Sequence, residues 1–136
     1  SITIENERGE SGETIGDPQA VEHWRALREQ THAFFAGSAP LWRLAVPTTA
    51  PPLQLDAAPL IEWGGGLRWL RSALPLSQVR LRAAALGGSA TLFRGGDRSQ
   101  GVFAPLSPAL LVIHQRLRNV FDPQRVFDGG RLYPEL

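Results

Sequence analysis

The chain has 136 residues, 43% of them hydrophobic and 20% charged, which suffices for one globular domain and excludes a chain that is disordered throughout. Fourteen basic residues, all arginine, face thirteen acidic ones, and the formal charge of +1 gives no bulk field for nucleic acid. The absence of lysine and cysteine excludes Schiff-base chemistry, disulfides and thiolate-bound metals. The three histidines stand in no metal-binding spacing, and no apolar run is long enough to cross a bilayer, so we expect a cytoplasmic protein without a metal site.

The N-terminal part of the sequence predicts one helix. Residues 1–11 are polar and are expected to form a tail or a partial strand. Asp17 followed by Pro18 is typical of a helix start, with Asp17 as N-cap and proline in the first turn. Apolar residues then recur at helical spacing, and a helix is predicted up to Gly37.

Two extended runs follow this helix. Residues 41–46 alternate between apolar and polar and predict a half-buried strand, and the proline-rich stretch 48–59 predicts a loop. A second extended run covers 60–63 and resumes at 67–70 after three glycines. The glycines indicate either a tight hairpin turn or a bulged patch within one long strand, and the sequence leaves both open.

The remaining elements complete the predicted fold class. A helix over 78–86 capped by Ser77, a strand over 90–93 and a last helix over 108–121 capped by Ser107 are expected. The element order predicts an α+β fold, a ferredoxin-like antiparallel sheet with helices on one face. The first strand and helix of that unit have no clear counterpart in the sequence.

Polar residues within the apolar strands are the candidates for a binding site. They are Glu62, Arg68, Ser89, Thr91 and Arg94. A solvated sheet face explains such residues more often than a site does. The sharper hypothesis is that one face covers a ligand, with an arginine binding a carboxylate and Glu62 orienting a neighbour. Trp63 and Trp69 would either line that pocket or belong to the core.

Four blocks of the sequence carry a family resemblance. They are WRALREQTHAFF (24–35), LWRLAVPTTAPP (41–52), IEWGGGLRWL (61–70) and the segment from FDP to GRLY (121–133). In this order they resemble the C-terminal part of the FAD-binding E subunit of bacterial glycolate oxidase, within the FAD-linked oxidase superfamily. The resemblance covers nearly everything from about residue 12 to the end.

The resemblance implies a function for the whole parent protein. It implies that residues 1–136 form a single C-terminal cap domain on the substrate side, without the flavin-binding domain of the family. The parent would oxidise glycolate, a 2-hydroxy acid, to glyoxylate with FAD as hydride acceptor. The expected partners are a second flavin subunit and an iron–sulfur subunit, through which peripheral attachment to the inner membrane is left open. Because that flavin-binding domain is missing, we expect residues 1–136 to bind no FAD and not to turn over alone. The start at Ser1 and not at Met fits the expectation of a fragment.

The resemblance also suggests residues that face the substrate. Arg68 or Arg94 would bind the carboxylate, Glu62 would orient a neighbour, and Ser89 would donate a hydrogen bond; no catalytic residue is assigned. The family usually has a histidine where this chain has Ser89, so the role of that histidine would be lost or moved. This change favours the alternative hypothesis, a non-catalytic assembly module that docks the other glycolate oxidase subunits. Arg131 and Tyr133 are expected to dock the tail onto the missing flavin domain.

Overall fold

A computed structural model describes residues 2–5, 11–53, 57–127 and 129–136. The strands are β1 (Ile2–Glu5), β2 (Ser11–Ile15), β3 (Leu41–Ala45), β4 (Leu60–Glu62), β5 (Leu67–Arg71) and β6 (Ser89–Arg94). The α-helices are α1 (Asp17–Arg28), α2 (Leu76–Ala85) and α3 (Pro108–Phe121), and short 3₁₀ helices cover Ala33–Phe35 and Trp63–Gly65. The predicted α+β class is confirmed. No helix in these residues is long and apolar enough to span a membrane.

The described strands form two antiparallel sheets. β1 pairs with β2, which confirms a strand in part of the expected N-terminal tail; residues 1 and 6–10 lie outside the described chain. The other sheet has the order β4-β5-β3-β6, and every neighbouring pair is antiparallel. This is the strand order of a split βαβ layer, with β3 in the place of its first strand. The split βαβ layer has a crossover helix at the position of the β3–β4 connection, and the described part of that connection contains no helix.

The three glycines form a hairpin turn between β4 and β5. Leu60 lies opposite Trp69 in the antiparallel register, which excludes one long strand. The turn places Trp63, Gly64 and Gly65 at φ of 54°, 57° and 97°. A Cβ on Gly65 would lie 3.0 Å from the carbonyl oxygen of Thr48, so both the backbone conformation and the close approach favour glycine.

The core lies on both faces of the sheet, because successive strand residues point to opposite sides. One face packs against α2, and the buried cluster between them includes Trp42, Leu44, Leu70, Ala90 and Leu92 of the sheet with Val79 and Ala83 of the helix. The opposite face carries a smaller cluster of Leu27, Phe35, Leu41, Leu67 and Trp69. Thus α2 covers one face, whereas α1 and the 3₁₀ helix after it cover only one end of the other. We call the remainder of this second face the open face; it carries Arg43, Glu62, Ser89 and Thr91.

The first helix is shorter than the sequence predicts. It ends at Arg28 and not at Gly37, and its N-cap is Gly16 and not Asp17. Gln30 adopts a left-handed φ of 55°, and the next N–H, of Thr31, returns to the carbonyl of Ala26 at 2.9 Å. This closing motif lets the chain turn so that Phe35 packs edge-on against Trp69, with ring centroids 5.6 Å apart. A tertiary contact therefore overrides the helical periodicity.

The other helices match their predicted positions closely. In α2, Val79 and Ala83 are buried as expected, although the N-cap is Pro75 and Ser77 lies within the first turn. The α3 prediction is confirmed, since Ser107 Oγ accepts a hydrogen bond from the N–H of Leu110 at 3.3 Å. The apolar side of α3 is exposed in the described chain, and Val120 and Phe121 are 73% and 77% exposed.

Candidate functional site

Of the four residues predicted to face the substrate, three are spread over the open face and its edge. Glu62 and Ser89 lie in one cross-strand row, Glu62–Leu67–Ala45–Ser89, at its two ends. Three strand spacings separate them by roughly 14 Å. Arg94 stands at the far end of β6 from Ser89, where its guanidinium donates a hydrogen bond to the side-chain oxygen of Gln30. The fold therefore does not bring these side chains together.

Arg68 extends from the opposite side of the sheet and is 3% exposed. Its Nε donates to the carbonyl of Gly65 at 3.2 Å, and its two Nη atoms donate to Pro51 at 2.6 Å and Ala50 at 2.5 Å. This guanidinium anchors the proline-rich loop to β5. A contact of Arg68 with substrate stays a prediction, and the geometry gives this residue a structural task instead.

Of the two tryptophans that flank the glycines, Trp69 lies in the core and Trp63 lies on the surface. Trp69 is 6% exposed, and its indole N–H donates to Oε2 of Glu62 at 2.5 Å. Its ring also meets Phe93 edge-on, with centroids 5.0 Å apart. Trp63 is 71% exposed on the hairpin turn. Only Trp63 is therefore accessible to a ligand, and Glu62 orients the buried Trp69.

The centre of the open face holds a residue that the sequence analysis did not select, Arg43. It lies directly opposite Thr91 in the β3–β6 register and is half-buried. The guanidinium carbon of Arg43 is 5.4 Å from the ring centroid of Trp63. The alternation within β3 places Arg43 on the polar side of a half-buried strand, which by itself gives no sign of a site. Only the sheet order shows that β3 is a central strand.

A cavity of about 350 Å³ adjoins Arg43. Its polar lining comes from Arg43, Thr91 and Arg98, and its aromatic walls come from Phe93 and Phe103. Among the described residues, neither an aspartate nor a glutamate lines this cavity. The arrangement offers cationic and hydroxyl donors against apolar walls, which suits a small organic anion.

Other arginines of the sheet layer differ from Arg43 because backbone carbonyls bind them. Arg71 donates to the carbonyls of Phe34, Gly37 and Ala39 at 2.9, 3.0 and 2.7 Å. Arg80 donates to the carbonyls of Gly101 and Phe103, and its burial lowers the pKa of its guanidinium. In the described chain Arg43 forms the ring contact with Trp63 and no hydrogen bond or ion pair. Its donors are therefore available to a ligand.

Metal ligands and the C-terminal tail are the two remaining features of the described chain. Residues that could form a metal cluster of three or more histidine, aspartate or glutamate side chains are not found in the part of the chain that the structure describes. Tyr133 in the tail packs against Phe103 and His114, with ring centroids 6.0 and 6.5 Å apart, so the tail has contacts within this chain.

Comparison with known proteins agrees with the four sequence blocks. No family model matches the chain, and no solved structure matches it. The chain is 45% identical over 121 residues to glycolate oxidase subunit GlcE of Escherichia coli (strain K12), a match that includes 89% of this chain and 34% of the relative. The chain therefore spans about a third of the length of that relative. The resemblance predicted from the sequence is confirmed: this chain is similar to glycolate oxidase subunit GlcE.

Proposed function

We propose that this chain is the substrate-side section of a flavin-dependent glycolate oxidase subunit. In the whole protein, glycolate would be oxidised to glyoxylate with FAD as the hydride acceptor. The observation that carries the proposal is the 45% identity to glycolate oxidase subunit GlcE over 121 residues. Because the chain spans about a third of that relative, the activity would require the rest of the polypeptide.

The open face supports a role beside a ligand. A sheet face that is not covered by helices normally carries solvated polar side chains. Here Arg43 lies next to the exposed ring of Trp63, and Arg43 and Thr91 line the adjoining cavity with its aromatic walls. Aromatic surface together with charge-assisted donors is the composition of a ligand pocket. We propose that this face covers the substrate side of the flavin site.

The described residues fit only one part of FAD. A pyrophosphate site would need free backbone N–H groups at a helix start, usually within a glycine-rich loop. Proline stands in the first turn of α1 and of α3, and Pro75 is the N-cap of α2. No glycine-rich loop precedes these three helix starts, so they lack the usual phosphate cradle, whereas the open face offers Trp63 and Arg43 to a planar ring. FAD would supply the redox chemistry, and its phosphates would bind outside the described residues.

Only some of the residues predicted to contact substrate keep that role within this proposal. Ser89 and Arg94 are exposed and could face a ligand, whereas Glu62 would act by orienting Trp69. In the intact complex, Arg94→Ala should raise the apparent KM for glycolate without lowering protein stability. An unchanged KM would remove Arg94 from the site. The expected partners, a second flavin subunit and an iron–sulfur subunit, belong to the same proposal.

The test is flavin reduction in the full-length subunit. The purified subunit, loaded with FAD and kept without oxygen, is mixed with glycolate, and the loss of flavin absorbance is followed. We expect bleaching by glycolate and none by acetate, which lacks the hydroxyl that is oxidised. A subunit that binds FAD but is not bleached by glycolate would contradict the proposal.

The exposed side of α3 favours a second candidate function, the non-catalytic assembly module. Val120 and Phe121 are 73% and 77% exposed, and such apolar surface normally meets another protein surface. If assembly is the function, Val120→Ala combined with Phe121→Ala should reduce co-purification of the other glycolate oxidase subunits. Arg116→Ala, an exposed change on the same helix, is the matched control. Unchanged co-purification of the double variant would argue against this function.

A further inference from the structure

We propose that Arg43 and Arg98 form a binding site for the carboxylate of a small organic acid in the cavity on the open face. This site does not use the two arginines that the sequence suggested for a carboxylate. Arg68 donates its hydrogen bonds to backbone carbonyls, and Arg94 donates to the side chain of Gln30. The cavity, of about 350 Å³, is at the small end of the range found for ligand pockets. The choice of glycolate as one probe rests on the proposed function, but the site itself does not.

The first argument is the state of the Arg43 guanidinium. It lies on a central strand, is half-buried, and has no carboxylate or carbonyl partner in the described chain. A partly desolvated cation without a counter-charge is unfavourable, so a bound anion would stabilise it. The contact of Arg43 with the Trp63 ring, at 5.4 Å, steadies the cation without using an N–H donor. The planar guanidinium fork can therefore pair with both oxygens of a carboxylate.

The second argument is the surroundings of Arg98. This residue follows β6 in an exposed loop, next to Asp97. The Asp97 carboxylate accepts hydrogen bonds from the N–H and the hydroxyl of Ser99, both at 2.8 Å, and Asp97 does not line the cavity of Arg43. The carboxylate next to Arg98 in the sequence is thus engaged by Ser99. Arg98 can add a second positive charge to the cavity.

The third argument is the shape and polarity of the walls. Phe93 and Phe103 give an apolar lining, and Thr91 supplies one hydroxyl beside Arg43. Two cations with one hydroxyl and two aromatic rings match a short acid whose carboxylate pairs with arginine and whose polar substituent meets Thr91. A fully hydrated inorganic anion would not gain from the aromatic walls.

The test is calorimetric titration of the full-length subunit with acetate, with glycolate and with inorganic phosphate. We expect the two carboxylates to bind more tightly than phosphate. Arg43→Gln should weaken carboxylate binding about tenfold or more, because it removes charge-assisted hydrogen bonds. Thr91→Val should weaken glycolate more than acetate. Arg116→Gln, which removes the same charge from an exposed position on α3, should leave the affinity unchanged.

Further variants separate binding from folding. Arg43→Lys keeps the charge but loses the fork, and we expect an affinity between those of the wild type and Arg43→Gln. The thermal unfolding midpoint of each variant shows whether the fold is retained. Equal carboxylate affinity in the wild type and in folded Arg43→Gln and Arg43→Lys proteins would overturn the proposal, as would tighter binding of phosphate. If the carboxylates bind through Arg43 while glycolate fails to bleach the flavin, the site stands and the proposed function fails.

Discussion

Arg68 and Arg71 lie three residues apart on β5 and extend from opposite faces of the sheet, each to a different loop. Arg68 binds the carbonyls of Ala50 and Pro51, and Arg71 binds those of Phe34, Gly37 and Ala39. In the described chain no backbone N–H donates to these carbonyls, so the two guanidinium groups satisfy acceptors that would otherwise lack a partner there. One strand thus holds loops on both sides of the sheet. Lysine, with a single compact ammonium, could not span the same sets of carbonyls.

Replacement of Arg68 should destabilise the protein. Arg68→Leu keeps apolar volume but leaves the carbonyls of Ala50, Pro51 and Gly65 without their donors. We expect the free energy of unfolding to fall by about 2 to 3 kcal/mol. Urea denaturation measures this change, and Arg116→Leu on the surface of α3 is the control. A loss as small as that of the control would show that the loop carbonyls do not depend on Arg68.

Gly88 has no room for a side chain. A Cβ there would lie 2.2 Å from the carbonyl oxygen of Ala45 and 2.6 Å from Cγ1 of Val46. Gly88→Ala should therefore separate the start of β6 from β3 and cost about 2 to 3 kcal/mol. Gly16→Ala, where nothing lies within 4 Å, should change the stability by less than about 1 kcal/mol. Thermal unfolding compares the two variants, and similar midpoints would contradict this packing.

The hydrogen bond from Trp69 to Glu62 should stabilise the fold because Glu62 supplies an acceptor oxygen, and not because Glu62 is charged. Glu62→Gln retains an oxygen for the indole N–H, so we expect little loss of stability. Glu62→Ala leaves a buried indole donor unpaired and should cost about 1 to 2 kcal/mol. The indole N–H resonance of Trp69 in an NMR spectrum reports the bond directly. Equal stability of the two variants would exclude a structural role for this bond.

Hydrogen bonds from Ser99 should make the stability of the loop around Asp97 depend on pH. Hydrogen bonds from the backbone N–H and the hydroxyl of Ser99 hold the pKa of the Asp97 carboxyl below its usual value. Because the folded-state pKa is depressed, these bonds stabilise the loop above the unfolded pKa, and the contribution is lost as the pH falls through the folded value. Ser99→Ala removes the hydroxyl bond and should raise the pKa of Asp97. An NMR titration of the carboxyl carbon tests this, and an unchanged pKa in Ser99→Ala would contradict it.

Local patterns predicted much of the fold but little of the candidate site. Alternation located β3, and the Ser107-Pro108 signal located the start of α3, because each depends on neighbouring residues. The site residues depended on which strands become neighbours. Arg43 lies beside Thr91 only because β6 pairs with β3 across a sequence separation of nearly fifty residues. A polar position on an isolated strand gives no sign of that partner.

The sequence by itself determined the α+β class, the approximate positions of the strands and helices, and the similarity to glycolate oxidase subunit GlcE. Tertiary structure alone decided that α1 ends at Arg28, that the glycines form a hairpin, and that Arg68 serves a loop while Arg43 faces a cavity. The physical reason is the range of the interactions. Propensity and periodicity act within a few residues, whereas burial, strand register and the carbonyl partners of an arginine are fixed by segments that lie far apart in the chain.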